Sequence, residues 1–212
     1  MNSKLLKSDV FGRVTLSPAA GEPAILRDLV GARWWARGLG RRLMAREARA
    51  LAALDGVEGV PRLLRAGRDS LVRSYIEGLP MHRARPNEPA YFRRASALLR
   101  RMHRAGVVHN DLAKEPNWLV TAAREPAIID FQLAWHAPRR GRLFRLLARE
   151  DLRHLLKHKR TYCAPCLTRR ERVILDTPSL PARAWMATVK PAYLFVTRRV
   201  LGWADREGAG DR

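Results

Sequence analysis

The sequence predicts an α+β chain, with strands and one helix in its first third and mainly helices after a short central hairpin. Three observations predict this. Val10–Leu16 alternates side-chain character with period two, as a half-buried strand does. Between Glu88 and Ala105, the apolar residues Tyr91, Phe92, Ala95, Leu98, Leu99 and Met102 recur at helical spacing. Trp118–Val120 and Ala127–Ile129 are short apolar runs flanking the polar stretch Thr121–Pro126, the pattern of a tight hairpin.

Taken in order, the strand Val10–Leu16 carries one glycine, Gly12, and a second strand covers Ala24–Arg27. A helix over Arg41–Leu54 carries Glu47 among Arg46 and Arg49. Leu71–Ile76 reads as a strand that runs into Glu77-Gly78. The helix Glu88–Ala105 puts Arg93, Arg94, Arg100, Arg101 and Arg104 on its other face and stops at Gly106. Val107-Val108 then enters the hairpin region. Beyond it lie a basic stretch, Leu133–Arg149, a helix over Glu150–Arg160 with Leu152, Leu155 and Leu156 on one face, and a further Arg-rich helix.

The chemistry concentrates around the hairpin. Val107-Val108 leads into His109-Asn110-Asp111-Leu112, Asn117 opens the next strand, and Ile128-Ile129 ends at Asp130-Phe131-Gln132. Asn117 and Asp130 are thirteen positions apart, enough for two short strands and a turn, so a hairpin brings them to the same end, facing a shared cation. One carboxylate beside an attacking hydroxyl, with an amide and a second carboxylate for magnesium, is the set that ATP-dependent phosphoryl transfer requires.

His109-Asn110-Asp111-Leu112 resembles the catalytic loop, and Asp130-Phe131-Gln132 the metal-binding tripeptide, of the protein-kinase-like superfamily. The resemblance implies a two-lobed protein-kinase-like fold, with a small β-rich N-lobe (residues 1–77) and a reduced, mainly helical C-lobe core (78–160); residues 161–212 read as a basic helical extension that matches no family feature. It implies ATP and Mg2+, with Asp111 as catalytic carboxylate and Lys114 neutralising the transferred phosphoryl group. Asn117 and Asp130 would hold the metal. Gly12 would stand in the phosphate-covering loop, Arg27 in place of the phosphate-contacting Lys, and Glu47 as its acidic partner; backbone groups around Glu77 would hold adenine. His109 would pack beneath the loop and fix its backbone.

The sequence departs from that pattern at three places. Asn117 follows Asp111 by six positions, one more than H-R-D-x-x-x-x-N. Gln132 replaces a glycine, which removes a flexible backbone position. Arg27 offers a planar fork where Lys offers a compact charge. No Ala-Pro-Glu closes an activation segment after Asp130, and the short second lobe is similar to RIO-type atypical kinases and bacterial lipopolysaccharide core kinases. The likeness spans roughly residues 5 to 160. The implied activity is transfer of the ATP γ-phosphoryl group to a hydroxyl of a protein (Ser/Thr) or of a lipopolysaccharide-type sugar. The alternative is a pseudokinase-like binding module, to which Arg27 and the extra loop residue point.

Composition bears on partners. Of 212 residues, 41 are Lys or Arg and 20 Asp or Glu, a formal net charge of +21; 35 of the basic residues are arginines. Such a surface attracts polyanions: nucleic acid, an anionic membrane surface or a phosphorylated glycolipid. From Trp185 to Trp203, aromatic and apolar residues mix with Lys190, Arg198 and Arg199, the composition of a helix packed on the large lobe or of a cationic face lying on a membrane. No run reaches the length of a bilayer span, and the N-terminus does not read as a signal peptide, so the expected location is cytoplasmic, peripheral to the inner membrane face at most. Cys163-Ala164-Pro165-Cys166 follows a helix rather than a strand, against a thioredoxin-type site, and zinc would need ligands such as His154 or His158; a reduced pair in a helix-linking turn is expected.

Overall fold

The structure is a computed structural model that describes residues 3–19 and 21–177. The segment Trp185–Trp203, and most of the extension expected over 161–212, lie outside the described residues.

Between Lys4 and Ser74 five strands form an antiparallel sheet with one helix packed on it. The strands are β1 (Lys4–Asp9), β2 (Gly12–Ala19) and β3 (Glu22–Asp28), then, after helix α1 (Arg37–Ala53), β4 (Leu63–Ala66) and β5 (Ser70–Ser74). Their order is β1-β2-β3-β5-β4. β3 is therefore central, which explains why it buries Ala24, Ile25 and even Arg27. The expected strand Val10–Leu16 is corrected at its start, since Val10 and Phe11 form the β1–β2 turn and β2 begins at Gly12. Gly12 has φ +124°, and a Cβ there would sit 2.0 Å from the carbonyl oxygen of Asp28, so no other residue fits this turn against β3.

After β5 the chain runs exposed through Tyr75 and Glu77 to β6 (Leu79–Pro80), the short helix α2 (Met81–Ala84) and α3 (Pro89–Arg104). The buried face of α3 is Tyr91, Phe92, Ala95, Leu98, Leu99 and Met102, as its periodicity predicts. Gly106 ends this helix at φ +75°, where a Cβ would come within 2.8 Å of the Ala137 carbonyl oxygen. β7 (Val107–Val108), β8 (Trp118–Val120), β9 (Pro126–Ile128) and β10 (Trp135–His136) follow. β8 pairs with β9 and with β6, while β10 pairs with β7. These last two strands are only two residues long, too short for periodicity to reveal β10.

Helix α4 spans Arg142–Tyr162 and α5 Arg169–Asp176. The helix expected over Glu150–Arg160 thus begins eight residues earlier, inside the basic stretch, because Phe144 and the partly buried Leu147 continue its apolar stripe onto β7. The main core joins Leu51 and Leu54 of α1 to α3, Trp118, Ile128, Phe131 and Leu155. Each such side chain contributes about 1.5–3 kcal/mol by leaving water. The expectation of reduced cysteines is also corrected: Cys163 and Cys166 are disulfide-bonded. The turn Ala164–Cys166 that follows α4 brings their Cα atoms to 5.4 Å, within the reach of a disulfide. Among the described residues no helix is long and apolar enough to cross a membrane.

Candidate active site

The site lies where β7, the β8–β9 hairpin and α1 meet. β7 delivers His109, which is fully buried. Its Nε2 is 3.1 Å from the carbonyl oxygen of Ile129, and the backbone N–H of Asp111 donates to its Nδ1 at 3.3 Å. That pattern requires the neutral ring with its proton on Nε2. The ring also meets Phe131 edge-on, with centroids 4.8 Å apart. His109 thereby joins the loop that starts at Asp111 to the strand end that carries Asp130.

The extra loop residue is absorbed by two successive tight turns. Lys114 N–H donates to the Asp111 carbonyl oxygen at 3.4 Å, and Asn117 N–H to that of Lys114 at 3.2 Å. Asn117 consequently returns onto Asp111, its Nδ2 donating both to the Asp111 carbonyl oxygen (2.9 Å) and to Oδ2 (3.1 Å). Lys114 Nζ lies 3.1 Å from the same Oδ2. Across the hairpin base, Ile129 N–H donates to the Asn117 carbonyl oxygen at 3.0 Å, which places Asp130 beside Asn117. Asp130 holds φ +68°, ψ +67° and begins the turn Phe131–Leu133, within which Gln132 lies. Among the described residues no hydrogen bond takes up the Asp130 carboxylate.

From the small lobe, α1 presents Glu47, 2% exposed, whose carboxylate lies 3.1 Å from Arg73 Nε and 3.5 Å from Arg27. Burial raises the Glu47 pKa above the ordinary carboxylate value; Arg73 and Arg27 offset part of this, and the charge of Asp130 adds to it. Arg46, one residue before, donates to the carbonyl oxygens of Leu133 (3.0 Å) and Ala134 (3.3 Å), tying α1 to the segment after Asp130. Gly12 stands at the β1–β2 turn, and Glu77 is exposed on the connector after β5. Among the described residues, neither hydrogen-bonds or ion-pairs with the Asp111–Asn117–Asp130 group.

These donors suit magnesium. Mg2+ takes few protein ligands and completes its shell with water and phosphate oxygens. One carboxylate with no hydrogen bond, and one amide whose Nδ2 is already engaged so that its oxygen is left for a cation, meet that need. Among the described residues there is no group of three or more His, Cys, Asp or Glu placed to hold a metal ion.

Two residues of this site escape sequence reasoning. Asp151 on α4 is 1% exposed, accepting from the backbone N–H of His109 (Oδ2, 2.8 Å) and of Asn110 (Oδ1, 3.0 Å), and its Oδ2 is 3.3 Å from His103 Nε2. Arg73 is the second cation on Glu47. The one signal for Asp151 was the acidic pair Glu150-Asp151 in a largely basic helix; for Arg73 there was none. α4 grips the loop again at its far end: His158 Nε2 is 2.8 Å from the Leu112 carbonyl oxygen, and Tyr162 Oη donates to Glu115 at 2.6 Å. A separate open groove of about 710 Å³, lined by Arg100, Arg104, Arg140 and Arg145, lies between α3 and the start of α4 and includes none of the cleft residues.

A five-stranded sheet with a helix whose glutamate faces a basic residue of the central strand, set over a helical lobe with a His-x-Asp loop and a hairpin ending in Asp, defines a protein-kinase-like protein. The family model of the RIO domain matches residues 32–167, and the chain belongs to that family of atypical, ATP-binding phosphotransferases. No curated protein matches the chain.

Proposed function

We propose that this protein transfers the γ-phosphoryl group of ATP to a hydroxyl, on a protein Ser/Thr side chain or on a lipopolysaccharide-type sugar. The observation that carries the reading is the convergence of Asp111, Asn117 and Lys114 within 3.1 Å contacts beside Asp130. Asp111 accepts a hydrogen bond from the acceptor hydroxyl and orients its oxygen toward the γ-phosphorus. The hydroxyl proton passes toward Asp111 as the new P–O bond forms and the bond to the ADP oxygen breaks. Lys114 neutralises charge on the transferred group. Asn117 and Asp130 hold magnesium, which when bound neutralises phosphate charge and orients the chain of phosphates. Arg27, held by Glu47, whose carboxylate Arg73 also engages, lies toward the phosphates from the small lobe, Gly12 covers them, and backbone groups around Glu77 take the adenine.

The buried Arg27 supports a second reading, a binding module with weak or no turnover, because a guanidinium engaged by Glu47 has less freedom to follow a moving phosphate than an ammonium. Magnesium-dependent ATP consumption by the purified full chain separates the two. The phosphotransfer reading expects turnover that Asp130→Ala abolishes without loss of fold. Full activity in that variant would remove Asp130 from the metal site; nucleotide binding with no turnover in wild type would establish the module.

A further inference from the structure

We propose that the segment Val30–Arg42, ahead of and within the first turns of α1, is a docking surface for an anionic lipid bilayer. Trp34 is 84% exposed and Trp35 46%, with Val30 at 57% and Leu39 at 50% beside them. Single exposed apolar residues are ordinary, but four within ten positions, two of them tryptophans, form a patch that water does not favour. The backbone fixes it: Arg37 N–H donates to the Arg33 carbonyl oxygen at 3.2 Å and Gly40 N–H to that of Ala36 at 2.8 Å, so Trp35 and Leu39 stand one helical turn apart on one face.

The charges around the patch select the occupant. Arg33, Arg37 and Arg42 are exposed along it. The nearby carboxylates are occupied: Asp69 pairs with Arg41 at 2.6 Å, and Asp28 Oδ1 accepts from the Val30 N–H. Tryptophans flanked by arginines, protruding rather than lining a cavity, suit a headgroup layer, where the indole rings enter the acyl boundary and the guanidiniums meet lipid phosphates. The chain's +21 charge draws it to such a surface.

The patch also adjoins the cleft. Arg33 N–H donates to the carbonyl oxygen of Val10, in the β1–β2 turn beside Gly12, at 3.2 Å. Glu47 lies ten residues beyond Arg37, the first residue of α1, about 15 Å farther along the helix axis. Docking therefore holds the mouth of the cleft close to the bilayer and favours an acceptor carried by a membrane lipid; this consequence rests on the phosphotransfer reading, whereas docking itself does not.

Co-sedimentation of the full chain, without nucleotide, with phosphatidylcholine vesicles carrying roughly one third phosphatidylglycerol tests the proposal. Binding is expected to anionic vesicles and to fall at least about tenfold in Trp34→Ser/Trp35→Ser, while the Arg33→Gln/Arg37→Gln/Arg42→Gln variant loses most of the salt dependence. ATP turnover in solution by the tryptophan variant is expected to be unchanged. Equal vesicle binding by wild type and the tryptophan variant would overturn the proposal and assign the attraction to general charge. A wild-type dimer that the same substitutions dissociate, with no vesicle binding, would overturn it in favour of a second copy on this face. Vesicle binding without ATP turnover would sink the phosphotransfer reading and leave docking standing.

Discussion

Asp151 shows how much of the site rests on a residue supplied by a distant helix. Its two carboxylate oxygens accept the backbone N–H groups of His109 and Asn110, fixing the loop on which Asp111 is carried. In Asp151→Asn, one oxygen becomes an NH2 group facing an N–H donor. Stability should fall by about 2–3 kcal/mol, and kcat with it, since two buried donors lose a charged acceptor. Urea denaturation together with turnover checks this; unchanged stability would show that the loop holds without α4. Asp111→Asn should behave differently. Asp111 is only partly buried and the amide keeps its size, so fold and ATP affinity should survive while kcat falls roughly 100-fold or more. Lost ATP affinity with unchanged turnover at saturating ATP would make Asp111 a nucleotide ligand instead.

At the scale of elements, α4 carries a pH dependence. Burial pulls the His154 pKa down from 6.5 to about 4, the neighbouring Lys157 adding to the effect. Burial also lowers that of His158, against the raising effect of its hydrogen bond to Leu112. Both rings stay neutral in the fold at pH values where the unfolded chain protonates them. The unfolded state therefore binds more protons, and the stability fully present above pH 6.5 is lost as pH falls toward 4. The buried Glu47, with its raised pKa, acts in the opposite direction. We expect His154→Gln to remove about 2 kcal/mol of the acid-side loss, allowing for partial exposure, measured as urea midpoints across that window. An acid limb as steep as in wild type would place the titration elsewhere. The β1–β2 turn gives a second test of an element. With Asp28 O in the way and a positive φ, Gly12→Ala should destabilise the small lobe by more than 1 kcal/mol, read as a lowered Tm.

At the scale of the whole molecule, the two lobes are joined through α1. Arg46 reaches the carbonyl oxygens of Leu133 and Ala134, while Glu47 on the same turn holds Arg27 and Arg73. The adjacent residues thus set the small-lobe cations and the segment after Asp130 in one arrangement. Arg46→Ala should cost about 1–2 kcal/mol and raise the KM for ATP more than it lowers kcat, because it loosens the cleft without removing a reacting group. Steady-state kinetics over a range of ATP concentrations decides it; a pure kcat effect would mean that the contact acts on chemistry.

The order His109-x-Asp111, Asn117, Asp130, the helical period of α3 and the apolar runs of β8 and β9 determined the family and the core of the site, because they are local patterns written in adjacent residues. Glu47 and Arg27 were legible as candidates only through resemblance. Distance along the chain hid the rest. Arg73 meets Glu47 because β5 lies beside β3, Asp151 meets His109 because α4 packs under β7, and β10 exists because two residues find β7 after a long detour. The disulfide joins near neighbours, yet it depends on the local turn that brings Cys163 to Cys166, and the exposure of Trp34 and Trp35 depends on what α1 leaves uncovered. Local spacing sets which faces are apolar and which groups can react; which distant charge satisfies a buried carboxylate, and which apolar side chains find no partner, is decided only when the elements pack.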